Sequence, residues 1–233
     1  ALRFSGADVT VSKIETGDES SGSYGNILQS GGTVTVIGSG SGKSAPLHIS
    51  HWSGWSNYTM TGGQLFVPNG EVRIGQDGTG HLILSGGYAE VKSIGITNGK
   101  VTLAGGTLKV LTTQTLPITF TAGTASRVIA PEAESAYLQI TPSEAGDIIF
   151  GESLGYFQIG TSSSWVTVTN NNLIFENGVR LSAKIALTGT GKGITVPGSG
   201  TAPVITSGSF SADQIAFSGD LPDGETLVLS LKV

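Results

Sequence analysis

The chain has 233 residues, a net charge of −5, 36 glycines, no cysteine, and only 12% charged against 38% hydrophobic residues. Scattered Lys and Arg leave no basic stripe for a phosphate backbone, no apolar run is long enough to cross a membrane as a helix, and disulfides and thiolate metal sites are excluded. Glycine without a G-X-Y period excludes collagen, and this hydrophobic fraction argues against disorder.

The first residues, ALRFSGADVTV, alternate apolar and polar side chains, as a half-buried strand does. Ala1 is the kind of small residue that follows a signal cleavage site, and a cysteine-free chain fits a secreted bacterial protein. Val9, Val11, Ile27, the pair Gly31-Gly32, Val34 and Val36 form the first, irregular copy of a pattern that then repeats. VIGSGSGKS (36–44) has the flavour of a phosphate-binding loop, but Ile37 stands where the first glycine is needed, and Pro46 and strand alternation follow where a helix should start. It is read as a Gly/Ser loop.

The repeat is clear from residue 45. Leu47 and Ile49 align with Val72 and Ile74, then with Ile94 and Ile96; Tyr58 and Met60 with Leu82 and Leu84, then Val101 and Leu103. Gly62-Gly63 aligns with Gly86-Gly87 and Gly105-Gly106, and Leu65 and Val67 with Ala89 and Val91, then Leu108 and Val110. One residue near Ser50 is extra. Each copy holds three short strands with period-2 alternation in about two dozen residues, which describes one coil of a triangular β-solenoid. The recurrent glycine pair marks a corner, so Gly86→Val is expected to be more damaging than Gly78→Val.

In this scheme WSGW (52–55) lies over residues 76–79, in a loop between strands. Trp52 and Trp55 are therefore expected at the surface, either capping a corner or, with Tyr88, offering stacking surfaces to a sugar or a partner. His48 is expected to project outward and His51 to lie in the loop, so that with His81 they make no zinc site. No metal or cofactor is assigned, although a lone cation near Asp18, Glu19 or Asp77 stays open. Asn57-Tyr58-Thr59 fits a glycosylation acceptor, but Tyr58 is expected in the core. Outward positions such as Thr59, Ile83, Thr102, Phe66, Glu90 and Lys109 gather no pair of carboxylates, and Glu90 with Lys109 reads as a solvated ion pair; the chain is therefore read as not an enzyme, a polysaccharide lyase or hydrolase being the least favoured alternative.

IGQDGTGHLILSGGYAEV and AGGTLKV resemble the autotransporter-associated repeats of passenger-type β-helix proteins of bacterial surfaces, over about residues 30–110. The resemblance implies a secreted or surface-displayed β-helix with structural or adhesive duties, and carries over no catalytic residue.

After residue 112 the repeat degrades. Strands are expected near 117–121, 136–140, 147–150, 156–160, 165–169, 173–176, 179–187, 203–206, 214–217 and 226–232, with PEAESA (131–136) as a junction. The fold expected from sequence is thus all-β: a right-handed three-stranded β-solenoid over 1–112, then a β domain over 113–233 that is either irregular solenoid or, in preference, a β-sandwich cap. The function expected is an extracellular structural or adhesive protein of a bacterial surface, in one version a fibre subunit joined to copies of itself through its terminal strands. The alternative is a carbohydrate-binding module for surface or extracellular polysaccharide. Neither nucleic acid nor membrane insertion by this segment is expected.

Overall fold

The computed structural model describes residues 1–17, 23–144, 146–159, 166–169, 173–176, 179–188, 194–197, 207–209 and 215–218. They are built of strands, with no α-helix among them, and fall into two compact units, Ala1–Leu111 and Thr112–Val233.

The first unit contains β1 (Leu2–Ser5), β2 (Val9–Val11), β3 (Ile14–Glu15), β4 (Tyr24–Gly31), β5 (Thr33–Val36), β6 (Leu47–Ile49), β7 (Trp55–Met60), β8 (Gln64–Ile74), β9 (Thr79–Leu84), β10 (Tyr88–Ile96), β11 (Gly99–Leu103) and β12 (Thr107–Val110). Every pairing is parallel, and each strand's partner is the equivalent strand of the next copy. One sheet runs β1-β4-β7-β9-β11, and the other β2-β5-β8-β10-β12. The register between β8 and β10 shifts between Val91 and Ser93, so each of these long strands supplies two segments, and the second segment of β8 also pairs with β6, which in turn pairs with β3. A parallel sheet stacks like on like, so one register fixes all the columns. Tyr58 lies between Ile27 and Leu82, with Val101 beyond; Leu65 lies between Val34 and Ala89; Val72 lies between Leu47 and Ile94. All these side chains are buried.

The Tyr58 hydroxyl is the one polar group of its column, and it is satisfied inside: it donates to Gln29 Oε1 at 2.8 Å, and Gln29 Nε2 donates to the Gln64 carbonyl at 2.8 Å. Both side chains are fully buried, and burial pushes the Tyr58 phenol well above its usual value. A buried tyrosine without such a partner would cost the desolvation of its hydroxyl.

The second unit contains β13 (Gln114–Phe120), β14 (Ala125–Ile129), β15 (Tyr137–Ser143), β16 (Asp147–Gly151), β17 (Tyr156–Ile159), β18 (Val166–Thr169), β19 (Leu173–Phe175), β20 (Arg180–Thr188), β21 (Ile194–Pro197), β22 (Ser207–Ser209) and β23 (Ile215–Ser218). β13 pairs β15, β14 pairs β16, β15 pairs β17 and β16 pairs β19, all in parallel. A β-sandwich is antiparallel, so the preferred expectation of a sandwich cap is not met by the described strands. PEAESA is also not a junction: it is a turn between β14 and β15, closed by the Ala136 amide on the Ala133 carbonyl. Strands β14, β21 and β22 were not foreseen, while the expected strands at 203–206 and 226–232 lie outside the described residues. The core here is aromatic, with Phe150 stacked on Phe175 at 4.7 Å and edge-on to Phe157 at 4.9 Å. Outside it, Arg127 binds Glu176 through two hydrogen bonds of 2.7 and 2.6 Å, which together with a bond from the Glu152 amide hold the Glu176 carboxyl below its usual range, against the opposing effect of partial burial.

Candidate functional site

The loop that joins β6 to β7 departs from the corresponding loop between β8 and β9, with one residue more than the aligned copy. Ser50 takes a left-handed φ of 68°, a conformation that costs an L-residue about 1 kcal/mol or more. Its amide donates to Thr16 Oγ1 at 2.9 Å, and its hydroxyl to the Gly54 carbonyl at 3.3 Å. The extra residue noticed near Ser50 therefore re-aims the chain after β6, and His51 turns inward, only 7% exposed.

His48 is the largest departure from expectation. Strand alternation puts it on the outward face, yet it is 0% exposed. The outward face of β6 is covered by the Gly/Ser loop, which forms a single 3₁₀ turn at Gly42–Ser44 over it. The Gly42 carbonyl lies 2.9 Å from His48 Nε2, and the Gly42 amide donates to Glu71 Oε1 at 3.1 Å. A carbonyl can only accept, so Nε2 carries the proton, and Nδ1 of the neutral ring presents a lone pair. That buried Nδ1 has no hydrogen-bond partner. Burial pushes the His48 pKa down, opposed by the Gly42 carbonyl, reinforced by Lys13, opposed again by the Ala45 backbone and reinforced by Arg73.

His51 stacks on His48 with ring centroids 4.1 Å apart, and Trp52 stacks on the other face of His51 at 4.6 Å. Glu15, the strand neighbour of His48 across β3 and β6, directs Oε1 at His51 Nδ1, while Lys13 Nζ lies 2.7 Å from its Oε2. Thus Glu15, His48 and His51 each offer one ligand-capable atom, and the three atoms lie within 4.8 Å of one another. The zinc expectation counted only histidines by spacing, with His81 among them, and so missed Glu15. Aligning Ile14 beneath Leu47 would have found it, because that register puts Glu15 beside His48. Glu15 also lines a cavity of about 410 Å³, together with Ile14, Thr16, Tyr24 and Gly25, and its side chain is partly exposed.

The expected site residues are divided by the structure. Trp52, in the loop after β6, is 40% exposed, and Trp55, the first residue of β7, is 51% exposed. Tyr88 opens β10 beside Gln64, at the far end of β7, roughly 17 Å away at about 3.3 Å per residue, and is not part of the same surface. It tilts against Phe66 at 6.0 Å and donates to Glu90 Oε2 at 2.7 Å, while Glu90 and Lys109 lie 3.7 Å apart. The neighbour of Trp55 is instead Tyr24, its register partner on β4 and 78% exposed. Counting back three residues from the aligned Ile27 and Tyr58 gives this pair from sequence.

The same loop reverses the glycine expectation. A Cβ on Gly86 would stand 2.6 Å from the Thr61 carbonyl, but one on Gly78 would press closer still on the Trp52 carbonyl and Ser50 Oγ, and 2.7 Å from the Gly54 carbonyl. The loop after β6 packs tightly around Gly78, through the Trp52 and Gly54 carbonyls and Ser50 Oγ.

His81 lies on β9, away from this cluster, and shares a 2.7 Å hydrogen bond with Thr102 Oγ1. Burial, and then Lys100, lower its pKa from 6.5 to about 4. The unfolded chain therefore takes up the proton first, so this contribution to stability is intact above about pH 6.5 and is lost as pH falls through 4. Thermal unfolding from pH 7 to 4 is expected to show a smaller acid-induced fall in His81→Gln than in the parent chain; parallel curves would remove His81 as a cause.

Comparisons with protein-family models, curated proteins and solved structures found no match to this chain.

Proposed function

We propose that the chain is a right-handed three-stranded β-solenoid, continued by less regular coils after residue 112, with a structural or adhesive duty at a bacterial surface. The observation that carries this is the parallel pairing from copy to copy, in which Ile27, Tyr58, Leu82 and Val101 form one column while their sequence neighbours face away. A right-handed crossover is the strong preference for parallel strands, and three strand segments per copy match a triangular coil. The resemblance of residues 30–110 to autotransporter-associated repeats supports secretion and surface display. Such a stack is a rigid spacer whose outer face repeats at the strand spacing, which suits display or end-to-end assembly better than chemistry. Light scattering and electron microscopy over a range of concentrations test the assembling version: growth into rods of constant width is expected, and compact monomers at every concentration would contradict it.

A second reading, binding to polysaccharide, is favoured by one observation, the exposed pair Tyr24 and Trp55 side by side on adjacent strands with Trp52 close by in sequence. Flat amphipathic rings about one strand spacing apart suit the apolar face of a sugar chain. Tryptophan fluorescence titrated with a panel of plant and bacterial polysaccharides tests it. A shift that is lost in Trp55→Ala supports this reading, and the absence of any shift contradicts it. Replacing Trp52 and Trp55 together by Ala is expected to leave the fold intact, at a cost of about 1–2 kcal/mol, since both are substantially exposed.

A further inference from the structure

We infer that Glu15, His48 and His51 form a binding site for a divalent transition-metal ion of the zinc type, a property separate from the surface function proposed above. Two independent observations carry it. The first is convergence: three ligand atoms, those of His48 and His51 from one strand and the loop after it and that of Glu15 from a strand more than thirty residues earlier, lie within 4.8 Å of one another. The second is the His48 ring. It is fully buried, its Nε2 is held by the Gly42 carbonyl, and its Nδ1 has no partner. A polar atom buried without a partner is costly, and the hydrogen bond of Glu15 to His51 leaves this one unexplained. A cation facing Nδ1 explains it.

The surroundings have the form that metal-binding histidines require. Such a ligand commonly donates its other ring nitrogen to a carbonyl or carboxylate, which fixes its tautomer and aim. Here the Gly42 carbonyl does so, and Glu71 fixes Gly42 in turn through its amide. Of the positive charges nearby, Lys13 meets Glu15 itself through Oε2, leaving Oε1 toward His51, while Arg73, the strand neighbour of His48, is bound by Gln76, Glu71 and Thr97. A tetrahedral zinc site has ligand-to-ligand edges of roughly 3.3 Å with each metal bond in the plane of its imidazole, so binding requires the His51 ring on its loop to turn out of its stack on His48 and to exchange its bond to Glu15 for one to the ion. Two imidazoles and one carboxylate select Zn²⁺, Co²⁺ or Ni²⁺ over Ca²⁺ and Mg²⁺, which prefer oxygen. A fourth position is left to water, and the partly exposed Glu15 side chain is the ligand that solvent reaches.

The test is titration of the chelator-treated full chain with zinc chloride by calorimetry, repeated with calcium and magnesium chloride, and with cobalt chloride followed by its visible absorption. One Zn²⁺ per chain is expected, bound at least about 100-fold more tightly than Ca²⁺ or Mg²⁺. His48→Gln retains an N–H in place of Nε2 for the Gly42 carbonyl and offers no nitrogen ligand at Nδ1; Glu15→Gln changes an exposed side chain. Each is expected to weaken Zn²⁺ at least about 10-fold while the circular dichroism spectrum stays that of the parent. Absence of Zn²⁺ binding, equal binding by the well-folded Glu15→Gln chain, or equal affinity for Ca²⁺ would each overturn the assignment.

Discussion

Leu82→Asp is expected to prevent the first unit from folding. Leu82 is completely buried on β9, with Tyr58 on one side and Val101 on the other. The new carboxylate would meet no cation in this column, and an unpaired buried charge costs several kcal/mol, either as desolvation or as the work of protonating the group. The loss of leucine packing adds about 2–5 kcal/mol, as in large-to-small core changes. Together these approach the whole stability of a typical domain, about 5–15 kcal/mol. The informative control is Ile83→Asp, one residue along on the opposite face beside Thr59 and Thr102, where a cost of about 1–2 kcal/mol is expected from lost strand preference and partial burial. Circular dichroism and urea unfolding of the two variants separate them; similar stabilities would mean that the assignment of inward and outward faces is wrong.

Gly87→Ala is expected to cost about 3–5 kcal/mol, from two causes that add. Gly87 has φ +80°, and a Cβ there would stand 2.5 Å from the Gly63 carbonyl oxygen of the neighbouring copy and 2.7 Å from Met60 Cε. The backbone of one corner rests on the backbone of the next, and only a residue without Cβ allows it. Gly123→Ala isolates the first cause, because Gly123 has a similar φ of +74° but nothing within 4 Å of its Cβ position. There the conformational penalty alone is expected, about 1–2 kcal/mol. Equal losses in thermal unfolding would show that the corner is not close-packed.

The columns of the first unit were legible in the sequence because period-2 alternation and a recurring glycine pair fix a parallel register almost unaided. Leu47 over Val72, Tyr58 over Leu82 and Leu65 over Ala89 follow from alignment alone, and the pairing agrees with each. The Glu15, His48 and His51 cluster was not legible, for two physical reasons. Alternation predicts which side of a strand a residue faces, not whether that side is covered, and His48 faces outward into a loop that folds back over it. The turn of His51 depends on a left-handed Ser50, which no local composition signals. In the second unit, β14 escaped notice because Ala125 and Ser126 dilute the apolar pattern, and Ser126 is itself buried. The parallel pairing there was beyond reach, since copies that no longer resemble one another give no register to read.

The stacking of one copy on the next is tested most directly by the distance between equivalent outward residues two copies apart. Asn57 pairs with His81, and His81 with Lys100. The chain has no cysteine of its own, so Asn57→Cys with Lys100→Cys gives a clean pair of spin labels. Two strand spacings place their backbones roughly 10 Å apart, so strong dipolar broadening of the continuous-wave spectrum is expected, absent from either single-label chain. A doubly labelled, folded chain whose spectrum is the sum of the two single-label spectra would contradict the parallel stack.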